Sequence, residues 1–264
     1  MEDKKHKIRP SCASCEVEVL NRICFNEKGI GSKGCPTLTQ KSVFEEASRE
    51  YEIPEIKEFA RQASIQEGEC YANRHEGIHA IQATKPRIVE VCEFAQKMGY
   101  QRLGLAFCLG LMNEAVVFEK ILKNHGFEVV SAMCKAGKAT KDGIGIRDEE
   151  KVFPGTNETM CNPIFQAKLL NHEKTQFNIL LGLCVGHDSL FFKYSEVFTT
   201  VLAVKDRVTG HNPFSPKSIA VETISTARPL RHGMKQPLLN AGNCQRSLWQ
   251  EISNRQRISA QNGS

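Results

Sequence analysis

The sequence predicts an α/β protein: an open, mostly parallel, Rossmann-like sheet with helices on both faces, preceded by leading helices and a small loop-rich four-cysteine module. Three observations lead there. Between residues 102 and 204, short apolar runs alternate with stretches of helical periodicity. Those runs are apolar at successive positions, as strands covered on both faces must be, and the alternation is that of βαβ units. Ahead of them, cysteines sit among glycines where no apolar period exists. The domains expected are residues 1–39, a cysteine-rich metal module; 40–216, the α/β domain with its leading helices; and 217–264, a basic, flexible tail.

Residues 11–39 carry Cys12, Cys15, Cys24 and Cys35 between Gly29, Gly31, Gly34 and Pro36, a loop pattern that something other than an apolar core must hold. From Gln40 to Gln66, apolar residues recur at three- and four-residue spacing (Val43, Phe44, Ala47, Tyr51; then Ile56, Phe59, Ala60, Ala63), giving two helices parted near Pro54. Pro86 opens a third helix, with Ile88, Val91, Cys92 and Ala95 on one face and Gly99 at its end. A first strand covers Arg102–Phe107, ending at Cys108. A helix follows over Asn113–Asn124, closed by Gly126, then a strand over Phe127–Met133, ending at Cys134. After an irregular charged stretch, a helix runs from Asn162 to Leu170 with Pro163 in its first turn. A strand over Phe177–Leu183 reaches Cys184, a short helix passes through Phe191 and Phe192, and Val197–Val204 is the last strand. The tail beyond Pro216 holds at most one helical stretch, Ser247–Ile258 around Trp249.

Composition narrows the function. The 264 residues, 41% hydrophobic and 25% charged, are those of a globular protein large enough to fold without disulfide staples. Eleven cysteines after a charged start read as reduced thiols, and a cytoplasmic protein is expected. No apolar run is long enough for a membrane helix, so no membrane partner is expected. The net charge of +5 does not imply nucleic acid. Six basic residues against Glu222 and Glu251 beyond Ser218 leave four of the five charges in the tail and the body nearly neutral.

Two cysteine sets carry the chemistry. Cys12-x2-Cys15 puts two sulfurs on one turn, and Cys24 and Cys35 complete four soft ligands suited to zinc or to a [4Fe–4S] iron-sulfur cluster. The second set is positional. Cys108, Cys134 and Cys184 each end a predicted strand, Cys161 precedes a predicted helix, and the carboxyl ends of parallel strands share one ligand crevice. Any one of these could be a buried small hydrophobe; all four at one edge point to a cofactor. Lys135, Asn162, His187, Asp188, Lys205, Asp206, Arg207 and His211 are expected around it. Gly182-Leu-Cys184-Val-Gly186 also resembles a nucleophile elbow, which makes Cys184, His187 and Asp188 candidate catalytic residues, with His187 or His211 as base and Asp206 as a further orienting group.

Several stretches carry a family resemblance: Leu103-Gly-Leu-Ala-Phe-Cys108, Cys134-Lys135, Met160-Cys-Asn-Pro-Ile-Phe-Gln-Ala167 with Leu170-Asn171, Gly182-Leu-Cys-Val-Gly-His-Asp-Ser-Leu-Phe191, and Lys205-Asp-Arg207 with Gly210-His-Asn-Pro213. Through them the chain resembles the DUF1847 family, bacterial and archaeal proteins catalogued as metal-binding by prediction and without an agreed activity. The resemblance implies a cysteine-ligated metal and adds weight to Cys108, Cys134, Cys161 and Cys184. The leading expectation is a metal-binding protein, iron-sulfur or zinc, with a redox or electron-transfer role and a redox partner protein. The alternative is a thiol enzyme, for acyl transfer or amide hydrolysis, with Cys184 as nucleophile.

Overall fold

A computed structural model describes residues 9–76 and 80–211. Backbone contacts gather the chain into two compact units that divide between Thr84 and Lys85. Residues 40–84, grouped with the α/β domain on sequence, thus cluster with the N-terminal residues. The tail over 217–264, its helical stretch around Trp249 and Cys244 lie outside the described residues.

The first unit contains the short helix α1 (Pro36–Thr39), α2 (Lys41–Glu50) and α3 (Pro54–Glu69), then a hairpin of β1 (Tyr71–Ala72) against β2 (Gln82–Ala83). Pro54 starts α3 at the position where its missing N–H costs nothing, which explains the break between the two periodic stretches. The two-residue strands of the hairpin carry no periodicity for sequence to reveal. Among the described residues of this unit only Gln66 and Cys70 are buried.

The second unit begins with α4 (Arg87–Lys97), for which Pro86 is the flanking extended residue rather than the first helical one. It continues with β3 (Arg102–Phe107), α5 (Met112–Asn124), β4 (Glu128–Met133), α6 (Pro163–His172), β5 (Phe177–Leu181), α7 (His187–Tyr194) and β6 (Thr199–Ala203). The four strands form one parallel sheet in the order β4-β3-β5-β6. The two central strands are the apolar runs, with β5 buried throughout and β3 buried from Leu103 to Phe107. Helix α5 packs on β3 and β4, and α6 packs on β3, β4 and α7.

Strand β5 stops at Leu181, three residues short of Cys184, because Gly182 turns the chain at φ +66. A methyl group on Gly182 would lie 2.6 Å from Leu111 Cδ1, so space as well as φ requires glycine there. Inside the sheet, Gly104 faces Asn178, a fully buried amide between Thr175 Oγ1 (2.8 Å) and Ser195 Oγ (3.0 Å).

Candidate functional site

The carboxyl ends of β3, β4 and β5 bring Cys108, Cys134, Cys161 and Cys184 to one place. Cys108 follows β3 directly and its N–H bonds Leu181 O (3.1 Å); Cys134 follows β4 and its N–H bonds Phe107 O (2.9 Å). Asn162 N–H bonds Cys134 O (2.7 Å), which draws Cys161 in beside it, and the Asn162 side chain caps α6 through Phe165 N–H (3.0 Å). Cys184 sits in the turn between β5 and α7, where His187 and Asp188 N–H groups both bond its carbonyl.

The sulfurs form a row. Cys184 contacts Cys108, Cys108 contacts Cys134, and Cys134 and Cys161 Sγ are 3.8 Å apart. His187 closes the far end against Cys161, and Arg207 Nη2 closes the near end 3.1 Å from Cys184 Sγ. Thiols in such a row share protons. Hydrogen bonds from Cys134 and Cys184, helped by Gly110 N–H and Lys205, hold Cys108 far below the thiol range against the cost of burial. Cys134 is pushed up by its bonds to Cys108 and Cys161 and by burial, although Leu109 N–H reaches its sulfur at 3.3 Å. The bond to Cys134, with His187 and Lys135, outweighs burial and pulls Cys161 down to about 4. Cys184 is pushed up through Cys108 and burial, with Arg207 opposing. His187 is raised chiefly by its bond to Cys161.

Other expected neighbours have definite roles. Lys135 Nζ bonds Thr159 O at 2.5 Å. Asp206 Oδ1 accepts from Val208 and Thr209 N–H, and its own N–H bonds His211 Nδ1 (3.1 Å). Burial and Lys205 lower the His211 pKa. Asp188 bonds the N–H of Ser189 in the first turn of α7. The expected pairing of Cys184 with His187 is replaced by pairing of His187 with Cys161, because His187 begins α7 whereas Cys184 lies in the preceding turn, beside Arg207.

Gln166 escaped the sequence reading. Fully buried on α6, it donates Nε2 to Phe107 O (3.2 Å) and Ala132 O (2.6 Å), tying the ends of β3 and β4 just below Cys108 and Cys134. Its Oε1 has no partner among the described residues. A lone amide among the apolar residues of a predicted helix was the signal available.

In the first unit, Cys12, Cys15, Cys24 and Cys35 all line one concavity, partly open to solvent. Cys12–Ser14 forms a 3-10 turn, closed by Cys15 N–H on Cys12 O (3.2 Å). The Ser32 hydroxyl and the N–H groups of Val17 and Ser32 bond Cys15 Sγ and, with Arg22, lower its pKa against the opposing effect of desolvation. Arg22 in turn binds Val17 O (2.7 Å) and Cys15 O (3.1 Å). Among the described residues, no group of three or more His, Cys, Asp or Glu side chains is gathered to hold a metal ion. The sheet-edge sulfurs contact one another in succession, and the four cysteines of the first unit line a hollow.

Among the described residues, no helix is long and apolar enough to cross a membrane. A family model, "Protein of unknown function (DUF1847)", matches residues 35–202 and so begins at Cys35. An uncharacterized protein of Methanocaldococcus jannaschii is 49% identical over 128 residues, which are 48% of this chain. The chain spans 64% of that relative's length.

Proposed function

The chain belongs to the DUF1847 family, and from its geometry we propose that it is a cysteine-ligated metalloprotein whose centre lies at the carboxyl edge of the sheet. The carrying observation is the row Cys184, Cys108, Cys134 and Cys161, supplied by separate strand ends and loops beside the point where strand order reverses between β3 and β5. That reversal is the ligand crevice of Rossmann-like sheets. Four thiolates around a divalent ion, or around a [4Fe–4S] cluster in its common oxidised form, leave a net charge of about −2. Lys135, Lys205 and Arg207 act electrostatically on this row, the complement such a centre needs. The thiols hydrogen-bond one another in succession; loading takes their protons and re-aims the sulfurs through staggered χ1 rotations.

An iron-sulfur cluster is the leading cofactor, with electron transfer to a redox partner protein as the role, and zinc the second. The test is anaerobic purification of the full chain, with iron, sulfide and zinc analysis and visible absorption, alongside Cys108→Ser/Cys134→Ser. Iron with a broad visible band, lost in the variant, is expected. Colourless protein with equal zinc in both chains overturns the reading.

One observation favours a second reading. The contact of Cys161 with His187 is a thiolate–imidazolium arrangement, which in a thiol enzyme makes Cys161 rather than Cys184 the nucleophile. Selective alkylation of Cys161, unchanged by chelator, supports the enzyme; protection that chelator removes supports the metal centre.

A further inference from the structure

We propose that the first unit carries a second, separate metal site, in which Cys12, Cys15, Cys24 and Cys35 bind one divalent ion of the zinc class that holds residues 9–40 together. The proposal does not rest on the sheet-edge centre. Cys12, Cys15 and Cys24 also precede the family match, which begins at residue 35.

The first support is what this segment lacks. None of residues 9–40 is buried, and Val19, Leu20, Phe25 and Ile30 are all exposed. The backbone is nonetheless specific. Ile23 N–H bonds Ile30 O (3.0 Å) and Ile30 N–H bonds Asn21 O (2.9 Å), which folds the chain back on itself. Hydrogen bonds of this kind, open to water, contribute little against the entropy of ordering about thirty residues. Small modules without a core are held by disulfides or metals, and these cysteines are free.

The second support is the shape of the hollow. All four cysteines line it, brought there by three different local structures: the 3-10 turn for Cys12 and Cys15, the loop folded over Arg22 for Cys24, and the start of α1 for Cys35. Val17 and Ser32 N–H groups already point at Cys15 Sγ, the kind of contact that orients a ligating thiolate. Gly31 leaves room on the other side. A methyl group there would lie 2.8 Å from Leu38 Cδ1, 2.9 Å from Cys35 Cβ and 3.1 Å from its Sγ, so a larger residue would crowd Cys35 where it lines the hollow. Four thiols and no carboxylate or imidazole among the lining residues make a soft donor set.

The test uses the full chain, stripped with chelator and titrated with zinc alone, as wild type and as Cys12→Ser/Cys15→Ser. Zinc equivalents and peptide-resolved hydrogen exchange are read together. The wild type should take up one equivalent more than the variant. Its exchange over residues 9–40 should slow about tenfold or more once free zinc exceeds its Kd about tenfold, while β3 and β5 exchange alike in both chains. Cobalt in place of zinc should give the visible bands of a tetrahedral thiolate site in the wild type and lose them in the variant. Equal zinc uptake by both chains overturns the proposal, and so does wild-type exchange over 9–40 that is indifferent to zinc, an outcome that does not depend on whether the variant folds.

Discussion

A methyl group added at Gly104 would lie 2.0 Å from Asn178 Oδ1 and 2.7 Å from Leu170 Cδ1, with no space to yield inside a central strand. Gly104→Ala should therefore destabilise the protein by about 1–3 kcal/mol, read as a fall in thermal midpoint, and should cost less in an Asn178→Ala background. Equal costs in the two backgrounds would show that the amide is not the obstacle. The sulfur row has a pH dependence of its own. With Cys161 pulled down to about 4, the metal-free chain carries it as thiolate above that value. Its alkylation rate should stay flat from about pH 5 to 8, where an ordinary thiol speeds up about tenfold per unit. A tenfold rise per unit at Cys161 would remove the hydrogen-bonded pairing with Cys134 and His187.

The connection between β4 and α6 shows why some elements could be read from sequence and others could not. Strands β3, β4, β5 and β6 and helices α5 and α6 follow apolar periodicity, and sequence places them within two residues at nearly every end. Residues 140–160 have no such period. They are knit instead by Glu158, which accepts from Val152 and Phe153 N–H and pairs with Lys141 at 2.9 Å, and by Lys151 between Asp142 and Asp148. Side-chain bonds to backbone at arbitrary separations leave no repeat to find. The edge cysteines were recognisable because a strand end is recognisable; which thiol meets which base was not, since that depends on the turn at Gly182 and the start of α7. For Glu158, burial raises the pKa but Lys141 and the two amides outweigh it, so its folded value is lowered. Its stabilisation is thus present above the ordinary carboxylate range and lost as pH falls through the lowered value. Amides 152–153 should lose protection, relative to unstructured amides at the same pH, in Glu158→Gln at neutral pH and in the wild type as the pH falls through the lowered carboxyl value of Glu158. Exchange unaffected by either change would place the loop's stability elsewhere.

Across the molecule, the division between Thr84 and Lys85 predicts that limited proteolysis leaves a resistant fragment containing β3 to β6. Early cleavage inside the sheet would contradict it. Within that fragment, the pairing of Gly104 with Asn178 bears on folding. Strands β3 and β5 are apolar on both faces, and such strands specify their alignment weakly, because a shift by one residue exposes nothing new. Asn178 removes the degeneracy. Slipped by one, its amide would meet Leu103 or Leu105 instead of the gap at Gly104. The same slip would move Cys108 about 3.3 Å along the strand relative to Cys184, enough to break the sulfur row. A polar side chain in the middle of the sheet thus sets the phase of the thiols at its end, and a misaligned sheet would reveal itself as a chain that folds yet cannot assemble its centre.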